Sequence, residues 1–413
     1  MSLVTNDPYT FDSAKKKGHH PKTLAQAKDT QERPIYLAVV NGMPSGAAKK
    51  APAQVSIPFS EAAGSRQVVI QNFYVDDVDY GEDEEYVKKH YLPMSELQNF
   101  NPDIAFLTGG AQEIFPQMRD AARKIKECDA ALRFFSCMGG HAYMKEIYDV
   151  DRKKRPEGKL HGVFEHHVTN IKHDITRSLE IIKSPHSRYN DISWEDFQDN
   201  GHRILAYSEE SGVLLTASAD GRDVVCQGHI EYGNATLLRE LWRDAVIARH
   251  AQIRDQNPNS DALYPEHSKY HLTSQGAAVL DAVIADLQSG RFDDDIKGLA
   301  SDAETGALKA GFRMPEPYEK QIMQRTPNQH TPYSYRIFAN MVNMVFEAAD
   351  YNRDGPYMNG VDESNPFGMD KSELVFEARL DGAILFDSKG NQIEHRVAAD
   401  EILYSPLYHE PEL

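Results

Sequence analysis

The sequence predicts an α/β fold, with a mainly parallel sheet flanked by helices. Two observations carry this. Short apolar runs ending in glycine-containing loops alternate with segments of helical periodicity. The first runs also hold few polar residues, as strands buried on both faces do.

Residues 1–30 are polar, lysine-rich and aperiodic, which predicts a flexible tail with order starting at Pro34. Ile35 to Val40 is a continuous apolar strand that closes on Asn41-Gly42-Met43-Pro44-Ser45-Gly46. Val68 to Val75 is a second strand, followed by an acidic loop from Asp76 to Glu85. Ile104 to Leu107 is a third, closing on Thr108-Gly109-Gly110. Over residues 113–128, Ile114, Met118, Ala121, Ile125 and Cys128 fall on one helical stripe. Leu132 to Ser136 is a fourth strand, and Cys137-Met138-Gly139-Gly140 turns into another helix. Arg203 to Ser208, Val213 to Ser218 and Asp223 to Gln227 follow as strands, then a helix over 235–251.

These elements place an α/β core at 31–254. Residues 255–325 lose the rhythm and read as an inserted helical segment, with an amphipathic helix from about Ser274 to Leu287. Residues 326–352 hold the last core helix, and 353–413 form a C-terminal extension. Within the extension Glu373 to Leu380, Ala383 to Asp387 and Gln392 to Val397 predict a β-hairpin around Ser388-Lys389-Gly390-Asn391.

The 413-residue chain is 40% hydrophobic and 26% charged, with a formal net charge of −18. That balance argues against a general nucleic-acid binder, which needs clustered cations. No apolar run approaches the ~20 residues a membrane helix requires. Cys128, Cys137 and Cys226 are the only cysteines. An odd, low count with no secretory stretch predicts reduced thiols in a cytoplasm. His161, His166, His167 and His173 cluster in sequence without a completing ligand pattern, so no metal or cofactor is assigned. Asp350 to Gly355 begins like a calcium loop, but its twelfth position would be Val361, which cannot ligate.

Two stretches can carry chemistry. Cys137 sits between a strand and a helix with glycines close behind, the pattern of a nucleophile elbow. A helix N-terminus favours thiolate, and the Met138 N–H would face a developing oxyanion. A buried structural cysteine fits the same local pattern. Gly228-His229-Ile230-Glu231 follows another strand and offers a base with a carboxylate to orient it.

Several motifs, in order, resemble the homoserine O-acyltransferase (homoserine O-succinyltransferase) family, whose fold is related to class I glutamine amidotransferases and is flavodoxin-like. Arg33-Pro34 with the first strand and Asn41-Gly42-Met43-Pro44 resembles the family's opening. Leu107 to Gly110 resembles its "TGAP" turn, and Cys137 to Ala142 its "CWGAQA" turn. Lys159 to His166 is similar to "KLFGVFEH", and Pro185-His186-Ser187-Arg188-Tyr189 matches "PHSRY". Ser208 to Ser218, Gly228 to Tyr232 with Thr236-Leu237 and Arg243-Asp244, and Phe338 to Asn343 complete the series.

The resemblance implies ping-pong O-acylation of L-homoserine or a related hydroxy-amino acid, with acyl-CoA as co-substrate. Cys137 would carry the acyl group, His229 act as base and Glu231 hold it. Lys159, Ser187 and Arg243 fall on acceptor-binding positions. Glu113 falls where the family separates donors, a Glu going with acetyl-CoA and a Gly with succinyl-CoA. A homodimer is also implied. A Cys–His–Glu hydrolase or a glutamine amidotransferase is the alternative. Met138, Ile230, the 255–325 insertion and the extension depart from the family pattern.

Overall fold

The computed structural model describes residues 2–27, 34–43, 46–169, 173–255, 272–297, 299, 312–326, 328–348, 385–386 and 392–393. Met1–Met369 and Asp370–Leu413 are separate compact units.

The first unit begins with β1 (Ser2–Thr5), α1 (Pro8–Lys16), β2 (Ile35–Gly42), α2 (Lys50–Ala62) and β3 (Gln67–Tyr74). It continues through α3 (Glu84–His90), β4 (Leu92–Pro93), α4 (Leu97–Phe100), β5 (Ile104–Gly110), α5 (Phe115–Glu127), β6 (Leu132–Ser136) and α6 (Met138–Tyr148). Then come β7 (Lys153–Lys154), β8 (Leu160–Val168), β9 (Ile181–Arg188), β10 (Asn190–Asp191), α7 (Trp194–Asp199), β11 (Arg203–Ser208), β12 (Gly212–Ala217) and β13 (Asp223–Cys226). Five helices close it: α8 (Thr236–Asp255), α9 (Ser274–Gln288), α10 (Asp293–Lys297), α11 (Glu316–Met323) and α12 (Thr331–Ala348).

The main sheet runs β1-β3-β2-β5-β6-β13-β12-β11-β8-β9, with β4 also beside β3. Pairing is parallel from β1 to β13. It is antiparallel from β13 to β9. The expected α/β architecture is therefore present, with an antiparallel ribbon added at one side. One sheet face packs under α1, α2 and α12, where Ala14, Ile57, Phe59, Phe338 and Met341 are buried with strand residues. The other lies under α5 and α6, with Met118, Ile125 and Tyr143 buried. At the β6–β13 seam, Arg133 and Asp223 are register partners and form an ion pair, 4% and 0% exposed, joined by Lys126.

The expectation of a flexible tail over 1–30 is corrected. β1 pairs in parallel with β3, and Leu3 and Val4 are fully buried. Asp7 caps α1 by accepting from the Thr10 N–H, with Pro8 opening the helix. A four-residue strand is too short to show periodicity, so the sequence reading passed over it.

The expected insertion does contain helices. Leu280, Val283 and Leu287 of α9 share a buried cluster with Leu241 and Trp242 of α8. In the second unit, β14 (Leu385–Phe386) pairs antiparallel with β15 (Gln392–Ile393), two strands of the expected hairpin. Its turn, the expected strand from Glu373 to Leu380 and the calcium-like loop lie outside the described residues.

Candidate active site

The parallel strands β5, β6 and β13 deliver their carboxyl ends to one edge, where α/β sheets gather ligands. Cys137 follows β6 directly and caps α6 with φ +47° and ψ −112°. A non-glycine residue in that region is strained, and here the strain holds the side chain up out of the strand-to-helix turn. The Cys137 N–H donates to the Cys226 carbonyl at 2.7 Å, and its own carbonyl accepts from the His141 N–H at 3.1 Å.

The glycines after it are sterically required. A Cβ on Gly139 would lie 2.8 Å from the Thr108 carbonyl oxygen, and one on Gly140 would lie 2.7 Å from Val225 Cγ1. Their absence lets α6 settle onto the strand ends. Met138 opens α6, so its N–H has no intrahelical acceptor. Of the three cysteines only Cys137 escapes full burial. Burial pushes the Cys128 and Cys226 thiols up, away from reactivity.

His229 comes from the loop after β13. The His229 N–H donates to the Pro185 carbonyl at 2.8 Å, which fixes the loop against β9. His229 Nδ1 meets Glu231 Oε1 at 2.8 Å, with the two residues 5% and 6% exposed. The imidazole also lies beside Cys137, whose side chain acts on its charge. Burial alone would disfavour the imidazolium. The neighbours Cys137 and Glu231 outweigh it and hold the pKa well above its ordinary value. The thiol, imidazole and carboxylate expected from sequence are therefore brought together at one strand edge. Gly109 leaves the space beside it: a Cβ there would sit 3.7 Å from His229 Cε1 and 3.8 Å from Cys137 Cβ.

Two further residues contact this group. The Ser136 hydroxyl lies 3.1 and 3.3 Å from the two Glu231 oxygens. Tyr232 stacks on His229 at 4.0 Å, and its hydroxyl donates to Glu240 Oε1 at 3.0 Å.

Tyr232 leads into a charged cluster that holds Lys159, Ser187 and Arg243. Lys159, 7% exposed, pairs with Asp244. Arg243, 47% exposed on α8, donates to Asp244 Oδ1 at 2.9 and 2.8 Å and lies 3.6 Å from Glu240 Oε1. Burial would raise the Glu240 pKa, but the Arg243 and Lys159 cations hold it down at about 2. Its other oxygen, Oε2, is buried without a hydrogen-bond partner. Ser187 on β9 faces His161 on β8 at 3.2 Å. The sequence reading gave no role at this site to Ser136, Tyr232 or Glu240, and weighed His161 only as part of a histidine cluster. Glu240 had a usable signal, since it lies one helical turn before Arg243. Glu113 is exposed in the single turn Gln112–Ile114 between β5 and α5. Among the described residues no group of His, Cys, Asp and Glu could hold a metal ion, and no helix is long and apolar enough to cross a membrane.

An α/β sheet that brings a cysteine at a strand-to-helix turn beside a histidine and a glutamate has the layout of thiol-dependent group transfer. The pattern of the homoserine O-succinyltransferase family matches residues 11–275, and the chain belongs to that family of acyltransferases. A homoserine O-succinyltransferase of Methylobacter tundripaludum is 25% identical over 387 residues, covering 89% of this chain and 100% of that protein. One from Thiobacillus denitrificans is 25% identical over 380 residues, with 89% and 100% covered. Among solved structures, a glutamine amidotransferase from Thermotoga maritima is 12% identical, covering 65% of this chain and 100% of its own, with a TM-score of 0.36. The glutaminase domain of Trypanosoma brucei CTPS is 14% identical, covering 49% and 88%, with a TM-score of 0.37.

Proposed function

We propose that this chain transfers an acyl group from acyl-CoA to the hydroxyl of L-homoserine or a closely related hydroxy-amino acid, through a thioester on Cys137. In the first step the Cys137 thiolate attacks the donor carbonyl. The carbon–sulfur bond to CoA breaks, and CoA leaves with the proton held on His229. In the second step the acceptor hydroxyl gives its proton to His229 and attacks the thioester, and Cys137 leaves as thiolate. Glu231 fixes the ring so that Nε2 faces the sulfur. The Met138 N–H would receive the oxyanion in both steps.

The observation that carries this reading is the junction of the relay with the charged cluster through Tyr232. An amino-acid acceptor is a zwitterion. Arg243 and Lys159 would bind its carboxylate, and the unpaired oxygen of Glu240 would bind its ammonium. On the donor side, the Glu113 carboxylate would repel a second carboxylate on the acyl chain, which favours acetyl-CoA over succinyl-CoA. Homodimer formation and residence in the cytoplasm belong to the same reading.

The test is incubation with acetyl-CoA or succinyl-CoA followed by mass spectrometry. An acyl adduct on Cys137, discharged by L-homoserine, is the expected result. No adduct with either donor, or release of glutamate from glutamine, would overturn the proposal.

A further inference from the structure

We infer that His161 fixes the direction of the Ser187 hydroxyl, turning Ser187 into a pure hydrogen-bond acceptor that selects a protonated amine on the acyl acceptor. This rests on the acyl-transfer reading and specifies which acceptor group the site recognises.

His161 is fully buried on β8, where the family's motif carries a phenylalanine. Its Nε2 lies 3.1 Å from the Leu237 carbonyl, and its Nδ1 lies 3.2 Å from Ser187 Oγ. A carbonyl can only accept, so Nε2 carries the ring proton. Burial, reinforced by the nearby Lys159 cation, lowers the pKa to about 4 and keeps the ring singly protonated at neutral pH. Nδ1 is then an unprotonated lone pair that needs a donor, and the Ser187 O–H meets it. Leaving that nitrogen unpaired in the interior would be costly. With its hydrogen committed inward, half-buried Ser187, two residues along β9 from the Pro185 carbonyl that holds the His229 loop, offers only lone pairs on its outer side. Those lone pairs attract N–H or O–H donors and give a bare carboxylate no hydrogen bond. Glu240, whose charge also acts on His161, sets the same polarity. The carboxylate end of the acceptor then belongs to Arg243 and Lys159.

His161 is a positioning residue, and the experiment reads selectivity. Wild type, His161→Phe and His161→Asn are compared with L-homoserine and 4-hydroxybutanoate, which lacks the amine, as acceptors after acylation of Cys137. The Phe side chain fills the space without an acceptor atom, whereas Asn Oδ1 can take the place of Nδ1. We expect His161→Phe to cut the kcat/KM preference for the aminated acceptor about 10-fold or more, through acceptor KM, with His161→Asn recovering much of it. In a Ser187→Ala background, His161→Phe should add less than 2-fold, because the effect passes through the serine. An unchanged preference in a folded, acylating His161→Phe, or the same loss in His161→Asn, overturns the inference while leaving the acyl transfer intact. Failure of wild type to release CoA overturns both.

Discussion

The Ser136 hydroxyl reaches both oxygens of Glu231, at 3.1 and 3.3 Å, so the last residue of the strand that leads to Cys137 steadies the carboxylate beside His229. Cys137 and Glu231 are thereby coupled through adjacent residues of one turn. Ser136→Ala is expected to lower kcat by about 10-fold with acceptor KM unchanged, the scale of one hydrogen bond to a charged group. Glu231→Gln should cost more, since the imidazole loses its counter-charge as well as its orientation. Steady-state kinetics of the two variants check both; a Ser136→Ala effect confined to KM would contradict the assignment.

The strand-to-helix turn is intolerant of volume at Gly139. The atoms a methyl group would meet include the Thr108 and Leu107 carbonyl oxygens, at 2.8 and 3.1 Å, which are backbone and cannot rotate aside. Gly139→Ala should therefore cost about 1–3 kcal/mol in stability. It should also lower the rate of Cys137 acylation, since α6 must lift away from β5. Urea unfolding and rapid-quench acylation measure the two effects.

Asp223 is the stability counterpart. Its carboxylate is fully buried, and Arg133 and Lys126 hold its pKa down against the opposing effect of burial. Asp223→Asn would leave the Arg133 guanidinium buried without a counter-ion, at a cost of about 3–5 kcal/mol. A drop in the urea midpoint is the expected readout.

Acid should unfold this protein early. His141, His161, His166, His173 and His202 are each at most 3% exposed, and burial lowers their pKa values to between about 3 and 4. The unfolded chain takes up these protons below about pH 6.5, while the fold excludes them. Their contribution is fully present above pH 6.5 and is lost as pH falls toward 4. At pH 5 the loss is on the order of 2 kcal/mol per ring. His229 works in the opposite direction, because its raised pKa favours the fold while it is protonated. The five outnumber it, so the thermal midpoint should fall steeply between pH 6.5 and 5; a flat profile would contradict these assignments.

The parallel half of the sheet was legible because Ile35 to Val40 and Ile104 to Leu107 are continuous apolar runs, which buried strands need. The β8–β9 ribbon was not, because its buried positions include His161, His166, Ser184, His186 and Arg188. Those groups are tolerated inside only because they bond one another and to neighbours such as Ser211, whose hydroxyl meets His166 Nε2 at 2.8 Å. That is tertiary information. Helix α2 was hidden by Pro52 and Pro58, which read as breaks. At the site, Cys137, His229 and Glu231 could be named from local turns. Ser136 and Tyr232 acquire meaning only when two distant loops meet.

The four residues of β1 lie against β3 and complete that end of the sheet. A shortened chain starting near Pro34 would bare the amide and carbonyl row of Gln67 to Ile70, ready to recruit a strand from another molecule. Self-association of that shortened chain is the consequence, so an affinity handle belongs elsewhere than on that strand.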